Sequence, residues 1–231
     1  MDLNRRHFIL AAGATGGAGF CTGGAWAQSA SVAKTSTDGN GKRKAAVHTI
    51  LVLGDSLSAE YGLRRGSGWV ALLDNKLRAE AVPARLVNAS ISGDTTSGGR
   101  SRLPALLKQH APSHVIIELG GNDALRGLPL QMTRDNLGHM TQLARQAGAK
   151  VLLVGMQVPP NYGSDYANRF ASLFDEAARA HGAALVPFLL KGVADAEDPT
   201  RLFQSDRIHP TEQAQPIMLA NVWPALRKQL Q

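Results

Sequence analysis

LVLGDSLSAEYGL, residues 51–63, begins as an unbroken apolar run and then turns into Gly54, Asp55 and Ser56. A short continuous apolar run ending in turn-forming residues reads as a strand buried on both faces. Ser and Asp are favoured where a strand hands over to a helix, because their side-chain oxygens accept hydrogen bonds from the unpaired amides of the first turn. Taken alone, the tripeptide is a cap as readily as a reactive group.

The same kind of run recurs along the chain. VHTILVL (47–53), ARLVNAS (84–90), HVIIELG (114–120), KVLLVGM (150–156) and ALVPF (184–188) read as five strands. Between them GWVALLDNKLRAEA (68–81), SRLPALLKQHA (101–111), LQMTRDNLGHMTQLARQAG (130–148) and YANRFASLFDEAARAHG (166–182) space their apolar residues three and four apart, as helices do; a last helix is expected over Glu212–Lys228. Continuous apolar strands joined by helices imply a parallel sheet covered on both sides, hence one three-layer α/β/α domain. In such sheets ligands collect at the carboxyl ends of the strands.

The 231 residues, 44% hydrophobic and 19% charged, suit one globular domain preceded by other material. Paired Arg5 and Arg6 ahead of a Gly- and Ala-rich stretch ending in AWAQS read as a twin-arginine export signal over residues 1–27, with Ala25 and Ala27 in the small-x-small pattern of a cleavage site. A Ser/Thr/Gly-rich linker follows over 28–46 and the domain occupies 47–231. The expected location after export is periplasmic or secreted. Cys21, the single cysteine, lies in the leader, so the mature chain has neither a disulfide nor a thiol nucleophile.

Net charge is +7, and part of the excess sits in the linker at Lys42, Arg43 and Lys44. Aromatics are 5% and are not interleaved with the basic residues, which argues against nucleic-acid binding; contact with an anionic membrane surface stays open. A monomer is expected.

The strand ends can be read for chemistry. The first delivers Gly54-Asp55-Ser56, the second NASISGDTT with Gly93, and the third GGND with Asn122. Glycines let a backbone N–H approach a ligand closely, and an Asn amide offers a directed neutral donor; each of these residues could equally make a turn or a cap. Far downstream, in SDRIHPTEQAQP, Asp206 precedes His209 by three residues, and of the seven histidines only His209 has a carboxylate so placed in a loop before a terminal helix. A serine nucleophile needs a base to take its proton and a carboxylate to hold that base in one tautomer, which Ser56, His209 and Asp206 would supply. The order Ser, Asp, His matches that of α/β-hydrolases, but the G-x-S-x-G elbow of those enzymes is missing here.

GDSLS, SISGDTT, GGNDALRG and DRIHP resemble, in order and spacing, the four blocks of the SGNH (GDSL-type) hydrolases, and within them the bacterial branch of acyl-CoA thioesterase I, arylesterase and lysophospholipase. The likeness runs from Thr49 to Trp223. It implies a flavodoxin-like fold with a five-stranded parallel sheet. It also implies Ser56 as nucleophile, Asp206 and His209 as acid and base, and an oxyanion hole from Ser56, Gly93 and Asn122, with Asp55 in support. The implied reaction, ester or thioester hydrolysis through an acyl-serine, needs no metal or cofactor. Apolar MQVPPNYG (156–163) and GLPLQM (127–132) favour aryl, acyl or lysophospholipid esters over the acetylated polysaccharides that the same residues could serve. A non-catalytic ligand-binding domain is the alternative outside catalysis.

Overall fold

The computed structural model describes residues 47–198 and 200–231. The expected leader and linker, residues 1–46, lie outside the described residues. Strands β1 (His48–Gly54), β2 (Ala84–Asn88), β3 (His114–Glu118), β4 (Lys150–Val154) and β5 (Ala184–Val186) form one all-parallel sheet in the order β2-β1-β3-β4-β5. After β1 the chain steps out to β2 and then crosses back to the other side of β1, so the direction of winding reverses between β1 and β3. Crevices at the carboxyl edge of a doubly wound sheet open at such a reversal.

Ile50–Leu53 of β1 and Val115–Ile117 of β3 are wholly buried, as continuous apolar runs in the middle of a covered sheet should be, whereas β2 at the edge is partly exposed. The described residues form six α-helices, α1 (Trp69–Ala79), α2 (Thr96–His110), α3 (Gly121–Leu125), α4 (Leu130–Gln146), α5 (Ser164–His181) and α6 (Gln215–Leu230), and all but the short α3, which packs on α4, lie against the sheet. Helix α1 packs on α6, while α4 packs on both α2 and α5. These contacts give the three layers expected.

Two local differences bear on the site. Helix α2 starts at Thr96, five residues before the apolar periodicity does, with the Thr95 hydroxyl accepting from the Gly98 amide at 3.3 Å. Gly99 lies in that added first turn and lets it pack closely: a Cβ would lie 2.3 Å from Leu119 Cδ1. The second difference is α3, a five-residue helix that holds Asn122, where the sequence reading has a turn or a helix cap. Strands β2 to β5 each end two residues early because the chain leaves the sheet to build loops at its carboxyl edge.

At the end of β4 the backbones crowd. Gly155 donates to the Val186 carbonyl at 2.7 Å and accepts from the Leu189 amide at 2.9 Å, and a Cβ on it would stand 2.3 Å from the Pro187 carbonyl oxygen. Because backbone cannot rotate aside as a side chain does, Gly155→Ala is expected to cost about 1–3 kcal/mol. Thermal unfolding followed by circular dichroism should show Tm lower by roughly 2–12 °C, and an unchanged Tm would mean that the β4 and β5 ends separate freely.

Candidate active site

Ser56 sits in the turn that follows β1 and is partly exposed, directly after Asp55, which is buried. Asp55 Oδ1 accepts from the Leu57 amide at 3.0 Å and its Oδ2 accepts from Asn122 Nδ2 at 3.0 Å. The capping role open to Asp55 in the sequence is thus filled, but the segment it caps is a run of turns, and α1 starts only at Trp69.

The loop before α6 brings the other groups to Ser56. His209 Nε2 lies 2.9 Å from Ser56 Oγ, and His209 Nδ1 lies 2.6 Å from Asp206 Oδ2. Asp206 Oδ1 accepts from the amides of Ile208 and His209 at 2.9 and 3.0 Å, so the carboxylate folds its own loop around itself. Arg207, between these residues, takes the left-handed φ of +57°, a conformation costly for a residue with a side chain and often found where function over-determines the backbone. The three groups form one line. With the carboxylate on Nδ1, the imidazole has its proton there and presents the Nε2 lone pair to the hydroxyl, the arrangement required to take a proton from serine.

Two carboxylates flank this line in opposite environments. The His209 amide, ahead of the His209 ring and the Ile208 amide, holds Asp206 down at about 2, against a smaller opposing effect of desolvation. Asp206 is therefore ionised throughout the neutral and mildly acidic range. Burial pushes Asp55 up to about 6, and the hydrogen bonds from Leu57 and Asn122 only partly offset it.

Gly93 and Asn122 reach the same corner from β2 and β3. Gly93 has φ +79°, which a side chain would make strained, and its carbonyl accepts from Arg126 Nη2 at 2.7 Å. One Asn122 amide hydrogen is engaged by Asp55, leaving the other for a ligand. Buried Asp123 anchors α3 by accepting from the Thr96 amide at 2.9 Å, from the Thr96 hydroxyl and from the Thr133 hydroxyl at 3.2 Å. Thus α3 is tied to the start of α2 and to α4.

Further residues shape the site without any local signal in the sequence. The Tyr61 ring leans over the His209 imidazole, centroids 4.3 Å apart. Gln204 Nε2 donates to the Tyr61 and Pro210 carbonyls at 3.0 and 3.1 Å, and the Gln204 amide donates to the His209 carbonyl at 2.7 Å. Gly62 admits this glutamine, since a Cβ there would meet Gln204 Oε1 at 2.1 Å. The pairings of Tyr61 with His209 and with Gln204 span more than 140 residues, so periodicity and motif spacing pass over them.

Other imidazole and large apolar side chains lie elsewhere. His48 and His114 stand edge to face, 5.1 Å between centroids, at the amino ends of β1 and β3, opposite Ser56. Trp69 and Trp223 are buried packing residues, and Met156 belongs to the core. Among the described residues five large hydrophobic side chains are exposed. Four of them, Tyr61, Ile91, Leu125 and Ile208, belong to the segments carrying Ser56, Gly93, Asn122 and His209.

Residues 52–216 match the GDSL-like lipase/acylhydrolase family. The chain is 51% identical over 185 residues to the esterase TesA of Pseudomonas aeruginosa, covering 80% of this chain and 90% of that one. It is 43% identical over 176 residues to thioesterase 1/protease 1/lysophospholipase L1 of Escherichia coli, covering 76% and 82%. A crystal structure of TesA, at 51% identity, superimposes with a TM-score of 0.76 over 80% of this chain and all of that one. The chain belongs to the GDSL-like lipase/acylhydrolase family and is a serine esterase of it.

Proposed function

We propose that the ester is attacked by Ser56, with His209 as the base that takes its proton and Asp206 as the group that orients and charge-balances the imidazole. The observation behind this assignment is the continuous line from Asp206 Oδ2 through His209 to Ser56 Oγ, at 2.6 and 2.9 Å. Ser56 Oγ bonds to the acyl carbon as His209 Nε2 accepts the proton. The alcohol or thiol leaves with that proton, and water, deprotonated by the same nitrogen, releases the acid and restores the serine. The amides of Ser56 and Gly93 and the free Asn122 hydrogen stabilise the oxyanion.

The substrate reading follows from the rim. Tyr61, Ile91, Leu125 and Ile208 present apolar surface on the segments that carry the reacting groups, which suits an aryl or fatty acyl group better than a sugar. The similarity to a thioesterase and lysophospholipase supports the same class. We further infer that the chain acts after twin-arginine export, in the periplasm or outside the cell, as a monomer able to touch a lipid surface and without a nucleic-acid partner. Arg5, Arg6 and the basic linker support export and surface contact.

Ser56→Ala and His209→Ala should each remove nearly all turnover while leaving the fold intact, and Asn122→Ala should lower kcat about 100- to 1000-fold. Steady-state kinetics on p-nitrophenyl esters checks all three, and a folded Ser56→Ala that still turns over would end the assignment. In a chain-length series of the same esters, medium or long acyl groups should be preferred; strict preference for acetate would favour an O-acetylesterase instead. A base must be unprotonated to take the Ser56 proton, so turnover should fall in acid, and Asp55 loses its charge and its grip on Asn122 as the pH drops through about 6. Asp206, held near 2, should take no part in that loss, and a rate flat from acid to alkali would contradict the base assignment.

A further inference from the structure

A third carboxyl group lies beneath the reacting line and has no part in it. Glu118, the last residue of β3, is in register with Gly54 and has no exposed surface. Its Oε2 accepts from the Ser58 hydroxyl at 2.7 Å and makes a longer contact with the Asp55 amide at 3.4 Å. Ser58, also buried, accepts in turn from Trp69 Nε1 at 3.2 Å, and its carbonyl accepts from Asn88 Nδ2 at 2.8 Å. Gly54 makes this possible, because a Cβ there would stand 2.9 Å from Glu118 Oε2 and 2.8 Å from Ser58 Cβ. The turn that carries Ser56 is thus moored from below at both ends, Asp55 and Ser58, to one side chain.

Among the described residues Glu118 has no cationic partner. Its Oε1 is buried without any hydrogen-bond partner among the described residues, and the nearest titratable group acting on it is another carboxyl, Asp55. An ionised carboxylate so enclosed, next to a second one, is strongly unfavourable, so the side chain keeps its proton. Burial, then the charge of Asp55, push its pKa well above the ordinary glutamate range. Around Asp55 the remaining charges are His209, which favours its ionisation, and Asp94, which opposes it.

We propose that Glu118 is a positioning residue: as a neutral acid clamped between Ser58 and the Asp55 amide, it fixes the turn that aims Ser56 Oγ at His209 and, through the Asp55 carboxyl that accepts from Asn122 Nδ2, the side-chain amide that α3 turns to the oxyanion. Glu118 touches neither substrate nor reacting atoms. It acts on the rate because an ångström of displacement in reacting groups costs about 100-fold.

The test rests on Ser56 being the nucleophile and separates the two claims. Kinetics on a p-nitrophenyl ester and labelling by a serine-reactive fluorophosphonate are measured for wild type, Glu118→Gln, Glu118→Ala and Ser58→Ala, with Ser56→Ala as the control. Glu118→Gln keeps a carbonyl oxygen for Ser58 and carries no charge, so kcat should stay within about threefold of wild type and the acid limb should not move. Glu118→Ala should lose about 10- to 100-fold in kcat and in labelling rate with KM nearly unchanged. If Glu118→Ala does not fold, Ser58→Ala breaks the mooring from the other side and should lose kcat several-fold, again at constant KM. A folded Glu118→Gln that loses more than tenfold in kcat, or whose acid limb shifts, overturns the neutral-acid role. Wild-type kcat in folded Glu118→Ala, or in Ser58→Ala, overturns the positioning role. Labelling of folded Ser56→Ala would instead defeat the nucleophile assignment, whatever the Glu118 variants do.

Discussion

Ser56 and His209 are 153 residues apart in the chain and 2.9 Å apart in space, and the rest of the site depends on keeping that contact closed. A hydrogen bond shared with solvent contributes on the order of 1 kcal/mol and cannot hold two distant loops together. The closure comes from elsewhere. Helix α1 follows the Ser56 loop, α6 follows the His209 loop, and the two helices pack on each other. Trp69, the first residue of α1, donates its amide to Gln215 Oε1, the first residue of α6, at 3.0 Å. Gln204 then ties the Tyr61 carbonyl to that of Pro210, and Arg64 reaches Glu212 at 3.4 Å. Of these ties the Arg64–Glu212 pair is the weakest, being exposed on both sides and screened by solvent. The helix pair and the buried Trp69–Gln215 hydrogen bond carry the closure, and the serine–imidazole contact is its consequence.

That division explains what could be read without coordinates. The five strands were legible because each is a continuous apolar run, and burial on both faces leaves no other place for Ile50–Leu53 or Val115–Ile117. The parallel sheet follows from the helices between them. Among the candidate site residues, Ser56, Asp206 and His209 were legible because serine chemistry demands those types, and Asp206 announces itself by lying three residues before the histidine that it holds. Glycines were the ambiguous letters. Gly93 marks a backbone turn at the site, as its positive φ requires, while Gly99 looks the same in sequence and serves close packing against Leu119.

What escaped reading acts at long range. Glu118 bonds across 60 residues to Ser58, Gln204 across 143 to Tyr61, and Asp123 across 27 to Thr96. Inside an apolar stretch Glu118 looks like an interruption of β3, and only the register β1 to β3 shows that it ends under the Ser56 turn. Helix α3 escaped for the opposite reason. Five residues are too few for periodicity to register, and it is held by the buried Asp123 cluster more than by its own propensity.

The site also sorts its acids by environment. Asp206, exposed and wrapped by two amides and an imidazole, is ionised under all mild conditions; Asp55, buried and partnered by neutral donors, titrates near 6; Glu118, buried further and beside Asp55, holds its proton. Placing carboxyl groups in a graded series of surroundings lets one small volume contain a fixed anion, a tunable one and a neutral one. The order has a mechanical logic. Asp206, proposed to balance a transient imidazolium, faces solvent and donors, so its charge costs little to maintain. The group that only has to hold a turn is sealed under the sheet edge, where a neutral acid and a serine hydroxyl make a stiff contact and add no charge to the field around the oxyanion. On the oxyanion roles proposed for Ser56, Gly93 and Asn122, a charged Glu118 would set its negative field against the reaction, so burial that keeps the proton on Glu118 would serve the reaction as well as the fold.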